Sequence, residues 1–187
     1  NPALAQEISA HLGTTLGSAT VGRFSDGEVT VEINQNVRAR DVFVVQSTCA
    51  PTNENLMELL IMIQTLKLDS AARITAVIPY LAYGRSDKKD QPRVPITARL
   101  LADLIKTAGA THVMSMMFHS PQVHGFFGMP TDLLSSQPIF KKYLQQRDLT
   151  GAIIVSPDMG QAKSAARFAN NLDLPVAAGN KERVSDT

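Results

Sequence analysis

The chain has 187 residues, of which 44% are hydrophobic and 19% charged, a composition typical of a soluble globular protein with one sizeable core. Its 18 basic and 17 acidic residues leave a net charge of +1, without the broad positive field that nucleic-acid-binding proteins carry, so we expect no nucleic acid as a partner. The sequence contains no run of about 18 uninterrupted apolar residues, so we expect no membrane partner either.

The cysteine content and the first residues predict the cellular location. Cys49 is the only cysteine, which excludes an intrachain disulfide and suits a reducing compartment. The opening NPALAQEISAHLG lacks a basic segment followed by a long apolar core, so it does not have the pattern of an export signal. We therefore expect a cytoplasmic protein.

Apolar residues at intervals of three and four predict amphipathic helices in three places along the chain. Their apolar faces are Leu4, Ile8 and Leu12 before Gly13; Leu56, Leu59, Leu60, Ile63 and Leu66; and Leu100, Leu101, Leu104 and Ile105 before Gly109.

Short apolar runs predict β-strands at residues 29–33, 42–46, 74–78, 112–117, 152–156 and 176–178. The pair Asp26 and Gly27 predicts a hairpin turn before the first of them. Alternation of strands with helices predicts an α/β fold with a mostly parallel sheet flanked by helices. No linker or low-complexity tract interrupts the pattern, so we expect no interior domain boundary.

The strand at residues 74–78 leads into a cluster of charged side chains. Ligands of α/β proteins bind just beyond the carboxyl ends of such strands. Cations there can hold a polyphosphate, and carboxylates can hold a metal or fix the cations in place. The residues alone leave open the alternative of a solvated charged loop. The cluster consists of Arg85, Asp87, Lys88, Lys89, Asp90 and Arg93.

Several segments resemble the ribose-phosphate pyrophosphokinase family and occur in the family's order. They are RFSDGEVTVEI at 23–33, QSTCAPTNENLMELLIMI at 46–63, AVIPYLAYGRSDKKDQPRVPI at 76–96, QVHGFFGMPTDLL at 122–134, SPDMG at 156–160, and the pair Lys181 and Arg183. The resemblance implies a fold like the type I phosphoribosyltransferases. It begins after the family's first strand and stops at Thr187, before the family's second domain. Residues 1–187 are therefore expected to be the N-terminal domain of a longer protein.

The resemblance also implies an activity. The family transfers pyrophosphate from ATP to the C1 hydroxyl of ribose 5-phosphate, yielding phosphoribosyl pyrophosphate and AMP for nucleotide biosynthesis. It uses Mg²⁺ and assembles as hexamers, so ATP, ribose 5-phosphate and further copies of the chain are the implied partners. Chemistry of this kind depends on positioning and on neutralising anionic charge.

Matching by resemblance assigns roles in the charged cluster and around it. Arg85 is expected to contact the ATP phosphates, and the nucleotide site is expected to include Ser86, Asp87 and Asp90. His119 and Asp158 are expected to hold the magnesium-nucleotide complex directly or through water. The implied catalytic residues are His119, Lys181 and Arg183.

The resemblance places the adenine contacts in the hairpin. Phe24 is the implied platform for the base, with Asp26 and Glu28 hydrogen-bonding the base or its ribose from the neighbouring subunit. The residues alone also allow a plain structural reading, because Asp-Gly is the preferred pair of a type I′ turn and Phe24 suits a core.

Departures from the family pattern raise alternatives. Met117 stands where the family has an acidic residue beside the metal site, and Gln161 replaces a glycine after the SPD turn. A catalytically weak or silent regulatory paralogue, which binds nucleotide and associates with active subunits, is the alternative function. A phosphoribosyltransferase acting on a base is a third, but such an enzyme carries an Asp-Asp loop that this sequence lacks.

Overall fold

The computed structural model describes residues 1–180 and divides the chain into two compact units. The first is Asn1–Leu134, and the second comprises the residues from Ser135 onward. This differs from the expectation of no interior boundary. The junction around Ser135 and Ser136 is a few polar residues, too short to stand out as a linker in the composition. The assignment of residues 1–187 to a single N-terminal domain stays a prediction.

The first unit contains the elements that position the candidate site. In chain order they are α1 (Pro2–His11), β1 (Ala19–Arg23), β2 (Val29–Ile33), β3 (Asp41–Val45), α2 (Thr52–Leu68), β4 (Arg73–Tyr80), α3 (Thr97–Ala108), β5 (His112–Met117), a 3-10 helix (Pro121–Phe126) and β6 (Thr131–Leu133).

A four-stranded parallel sheet of order β3-β4-β5-β6 is the centre of this unit, which confirms the predicted α/β class. In β4 the consecutive residues Ile74, Thr75 and Ala76 are all buried. Because successive side chains in a strand point to opposite faces, both faces of β4 are covered. That double burial explains why β4 is a continuous apolar run in the sequence.

Helices α2 and α3 supply much of the core. The predicted face of α2 is confirmed, with Leu59, Ile63 and Leu66 buried. The predicted face of α3 is wrong in part, because Leu100 is 55% exposed and Leu104 39% exposed. The buried stripe of α3 is instead Ala98, Leu101, Ala102 and Ile105, since small alanines allow close packing that a search for large side chains overlooks.

The first helix differs from its predicted face at its end. Leu4 and Ile8 are partly buried, but Leu12 is 67% exposed and lies beyond the last helical residue. Gly13 follows with φ 65°, the left-handed backbone at which helices commonly end.

Strands β1 and β2 form the predicted hairpin, a separate antiparallel sheet. Of its turn residues, Gly27 alone has a positive φ, at 93°. A type I′ turn needs positive φ at both central residues, so that reading of the Asp-Gly pair is wrong. Phe24 and Glu28 close the turn instead, with the Phe24 amide donating to the Glu28 carbonyl at 2.8 Å.

The second unit has its own small sheet. Its elements are α4 (Gln137–Leu144), β7 (Ile154–Ser156), a 3-10 helix (Met159–Gln161), α5 (Ala162–Asn170) and β8 (Val176–Ala178), and β7 pairs with β8 in parallel. No helix among residues 1–180 is both long enough and apolar enough to cross a bilayer.

Candidate functional site

Three neighbouring strands of the parallel sheet end at the same edge. Strand β3 ends at Val45, β4 at Tyr80 and β5 at Met117, and all three run in the same direction. The loops that follow them therefore emerge side by side, where ligands of α/β proteins bind. The loop after β4 includes residues 85–93, which we call the charged loop.

The loops after β4 and β5 pack against each other at Gly84 and His119. A Cβ atom built on Gly84 would lie 3.5 Å from the Cβ of His119 and 3.3 Å from the Leu81 carbonyl oxygen. Gly84 is buried, whereas both Arg85 and His119 are exposed. The backbone beside Arg85 is thus held against the backbone of His119, and the side chains remain accessible.

Asp87 also lies where the loops after β4 and β5 meet. Its side chain is 9% exposed and neighbours Ser120 and His119. The Ser120 hydroxyl lowers the pKa of the Asp87 carboxyl most, His119 and Lys88 lower it further, and burial opposes the shift. Ser120 Oγ is buried and has no partner of full hydrogen-bond geometry within residues 1–180.

The loop after β3 is fastened to the same edge by Thr48, which is fully buried. Its hydroxyl donates to the Tyr80 carbonyl at 2.8 Å and accepts the Ala82 amide at 2.7 Å. The Thr48 amide also donates to the Tyr80 carbonyl, at 3.0 Å. These bonds fix the point at which the chain leaves β4 and enters the charged loop.

The cations of the charged loop are exposed and available. Within the described part of the chain, Arg85, Lys88, Lys89 and Arg93 form no ion pair with an acidic side chain. Asp90 is exposed as well. An anionic ligand would therefore meet cations whose charge is not already offset by a partner.

Ser86 has a different environment from its neighbours. Its hydroxyl donates to the Pro95 carbonyl at 3.0 Å and accepts the Thr97 amide at 3.1 Å. The hydroxyl of this predicted nucleotide-binding residue is therefore engaged at the start of α3.

The predicted adenine contacts lie together at the tip of the β1–β2 hairpin. Phe24 is 58% exposed, so it is not the core residue of the structural reading. The Asp26 carboxylate accepts the Glu28 amide at 3.1 Å, which gives it a role in the turn itself. At the base of the hairpin, Arg23 binds Glu54 at 2.9 Å and Glu58 at 3.0 Å on α2. The hairpin strands form a separate sheet from the one whose strand β4 leads into the charged loop.

Asp158 lies in the second unit, directly after β7. Its Oδ1 accepts the Gln161 amide at 3.1 Å, and its carbonyl accepts the Ser156 hydroxyl at 2.7 Å. The Gln161 side chain is exposed. The structure thus holds Asp158 at the N-terminus of a short helical turn. Lys181 and Arg183 lie outside the described residues.

Sequence reasoning missed Thr48 and Ser120. Each follows a predicted parallel strand by two or three residues, so the signal was available in the strand pattern. Among residues 1–180 the structure contains no group of three or more His, Cys, Asp or Glu side chains placed to hold a metal.

Comparisons with known proteins agree with this architecture. Residues 1–109 match the family model described as the N-terminal domain of ribose phosphate pyrophosphokinase. The chain is 52% identical over 183 residues to a ribose-phosphate pyrophosphokinase of Wolinella succinogenes, covering 98% of this chain and 59% of that protein. A second relative with the same name, from Caldanaerobacter subterraneus, is 52% identical over 184 residues, with 98% of this chain and 58% of the relative covered.

A solved structure is also similar. It is the phosphoribosylpyrophosphate synthetase from Mycobacterium smegmatis, with a TM-score of 0.91 and 41% identity, covering 98% of this chain and 62% of that one. The chain thus spans somewhat less than two thirds of the length of these proteins. On the family model that matches more than half of its residues, the chain belongs to the ribose-phosphate pyrophosphokinase family.

Proposed function

We propose that the protein containing this chain transfers the β,γ-pyrophosphoryl group of ATP to the C1 hydroxyl of ribose 5-phosphate, releasing AMP. The observation that carries the proposal is the meeting of the loop after β4 with the loop after β5, where Gly84 packs on His119 and Asp87 neighbours Ser120. Relatives at about half identity are named ribose-phosphate pyrophosphokinase. They carry no support for the silent regulatory paralogue.

The charged loop supplies the binding of the triphosphate. Arg85 presents a planar guanidinium that can donate two hydrogen bonds to one phosphate, and its charge is not offset by an acidic neighbour among the described residues. Ser120 lowers the pKa of the Asp87 carboxyl, so this carboxyl stays ionised at neutral pH beside the His119 segment. Asp90, exposed on the same loop, remains a proposed nucleotide contact.

The carboxylate of Asp158 fits a Mg²⁺ ion, and His119 is proposed to act on the magnesium-nucleotide complex directly or through a bound water. Magnesium usually keeps several waters and takes one or two protein carboxylates together with substrate phosphates, so a cluster of three protein ligands is not required. Asp158 uses Oδ1 to accept the Gln161 amide, which leaves Oδ2 for an ion or its water. When bound, Mg²⁺ would offset the negative charge of the phosphate oxygens. Lys181 and Arg183 are proposed to stabilise the charge of the transferred group.

The adenine site is proposed to involve a second copy of the chain in a homo-oligomer. The exposed Phe24 ring offers a flat surface for a purine, and the neighbouring Asp26 and Glu28 carboxylates can accept from its amino group. The proposal predicts subunit complementation. Mixing a Phe24→Ala variant with a His119→Ala variant should restore AMP formation that neither shows alone. Failure of every such mixture would contradict the shared site.

A coupled assay tests the activity itself. Full-length protein with ATP, ribose 5-phosphate and Mg²⁺ should form AMP in proportion to the ATP consumed, and His119→Ala should remove that activity. His11→Ala, on the exposed end of α1, is the matched control and should leave it intact. A protein that is inert alone but alters the inhibition of an active homologue would overturn this function in favour of the regulatory paralogue. We also keep the prediction of a cytoplasmic enzyme, supported by the single exposed cysteine.

A further inference from the structure

The free backbone amides at the start of α3 receive no cap from the residue before the helix and are instead bonded by a residue from earlier in the chain. The residue before the helix is Ile96, whose side chain cannot accept a hydrogen bond, so the helix lacks the ordinary side-chain cap. The Thr97 amide donates instead to the Ser86 hydroxyl at 3.1 Å, and the Ala98 amide donates to the Ser86 carbonyl at 3.1 Å. A serine 11 residues earlier in the chain thus satisfies two of the first free amides of α3.

Ser86 closes the charged loop through the same contacts. Its hydroxyl also donates to the Pro95 carbonyl at 3.0 Å, so one side chain both accepts from and donates to the far end of the loop. Its amide donates to the Tyr83 carbonyl at 3.1 Å, which holds the near end in a turn. Between these points lie the exposed residues 88–93.

The residues on either side of Ser86 are the ones the proposed function uses. Arg85 precedes it and Asp87 follows it, and the Asp87 side chain neighbours Ser120 on the loop after β5. Loss of the Ser86 hydroxyl would remove its bonds to the Pro95 carbonyl and the Thr97 amide. The backbone bond from the Ala98 amide to the Ser86 carbonyl would remain and would hold the loop to α3 less tightly. The direction of the Arg85 side chain then depends on a backbone that has lost its two side-chain bonds to the far end of the loop.

We propose that Ser86 is a positioning residue. Its hydroxyl caps α3 across the charged loop and so holds Arg85 in place to bind the triphosphate, without touching the nucleotide itself. The inference rests on the proposed function for the identity of that ligand. It replaces the role as a direct nucleotide contact that the family resemblance implies for Ser86.

The test uses full-length protein and three variants, Ser86→Ala, Ser86→Thr and a matched control away from the site, Ser9→Ala. Ser9 is partly buried on α1, and its hydroxyl bonds only within that helix, to the Gln6 carbonyl. Two quantities are measured on each protein. One is hydrogen exchange of the peptide covering residues 94–100, and the other is the equilibrium dissociation constant for MgATP.

We expect Ser86→Ala to speed exchange at Thr97 by about fivefold, the size typical of a lost helix cap, and to weaken MgATP binding at the same time. Ser86→Thr should restore both, and Ser9→Ala should change neither. Weaker MgATP binding with unchanged exchange would overturn the proposal in favour of a direct contact. Faster exchange with unchanged MgATP binding would overturn it too.

The two proposals fail in different ways. MgATP binding without formation of AMP by the unmodified protein would overturn the proposed function alone, because the binding and exchange measurements still decide the role of Ser86. Absence of MgATP binding by the unmodified protein would overturn both.

Discussion

Gly84 lies so close to His119 that a Cβ on the glycine would stand 3.5 Å from the Cβ of the histidine. The first prediction concerns this packing. Gly84→Ala should fold and retain most activity, because its Cβ meets the Leu81 carbonyl oxygen at 3.3 Å and needs only a small adjustment. Gly84→Val adds methyl groups at the contact and should displace the His119 segment. Since misplacement of a reacting group by about 1 Å can cost about a hundredfold, we expect a loss of that order in kcat/KM for AMP formation.

Gly125→Val is the control for this pair. A Cβ at Gly125 meets nothing within 4 Å, and the residue is exposed. If Gly125→Val lowers kcat/KM as much as Gly84→Val does, the contact with His119 is not the cause.

The second prediction separates the charge of Asp158 from its role in the turn. Asparagine caps helical turns about as well as aspartate, so Asp158→Asn should keep the bond from the Gln161 amide and leave the thermal midpoint nearly unchanged. The loss of negative charge should raise the Mg²⁺ concentration needed for half-maximal activity by at least about tenfold. Asp158→Ala should lower the midpoint as well. An Asp158→Asn variant with an unaltered Mg²⁺ requirement would remove Asp158 from the metal site.

The third prediction is a pH dependence at Asp87. Its carboxyl has a lowered pKa, so the folded protein binds this proton less readily than the unfolded chain does. The stability that follows is present above the ordinary carboxyl value of 3.8 and is lost as the pH falls through the lower folded value. Urea unfolding across a pH series should therefore show that the stability difference between the wild type and Asp87→Asn shrinks below about pH 4.

Ser120→Ala tests the cause of that shift. Because the Ser120 hydroxyl contributes most to it, removing the hydroxyl should bring the pKa of the Asp87 carboxyl closer to its ordinary value. A carboxyl resonance of Asp87 that titrates at the same pH in both proteins would contradict the assignment.

The fourth prediction concerns the buried Thr48 hydroxyl. Valine has nearly the same shape but cannot accept the Ala82 amide, so Thr48→Val leaves a buried donor unsatisfied. We expect a loss of about 1–3 kcal/mol in the free energy of unfolding, measured in urea. Thr107→Val is the control, because Thr107 is exposed and its hydroxyl bonds within α3, to the Asp103 carbonyl. Equal losses in the two variants would show that burial of the Thr48 hydroxyl does not increase its contribution to the free energy of unfolding.

Most of the strands were open to prediction from sequence. Strands 29–33, 112–117 and 176–178 match the structure to the residue, because apolar runs of this length have few other uses. Strands β1 and β6 were not predicted, for two different reasons. Strand β1 is mostly exposed and carries small residues, and β6 is only three residues long. In α5, alanines take the place of large apolar residues and a single residue, Ala169, is buried.

The candidate site was predictable in its location but not in its contacts. The order of strands brings the loops after β4 and β5 together, and this follows from the pattern of the sequence. The contact of Asp87 with Ser120 and the capping of α3 by Ser86 depend on how two loops and a helix meet in space. The periodicity of apolar residues along the chain does not predict such contacts between distant residues. The boundary near Ser135 was missed for a related reason, since it is defined by which residues touch and not by composition.

The bonds that join Ser86 to Pro95 and Thr97 bear on how this protein can change over evolution. Because these bonds fix both ends of the segment between Ser86 and Pro95, a change in the length of that segment need not alter the geometry of the sheet. Doubling such a span would cost only about 0.6 kcal/mol in closure entropy. Insertions and deletions among residues 88–92 should therefore be tolerated by the fold, even where they disturb the nucleotide contact proposed for Asp90.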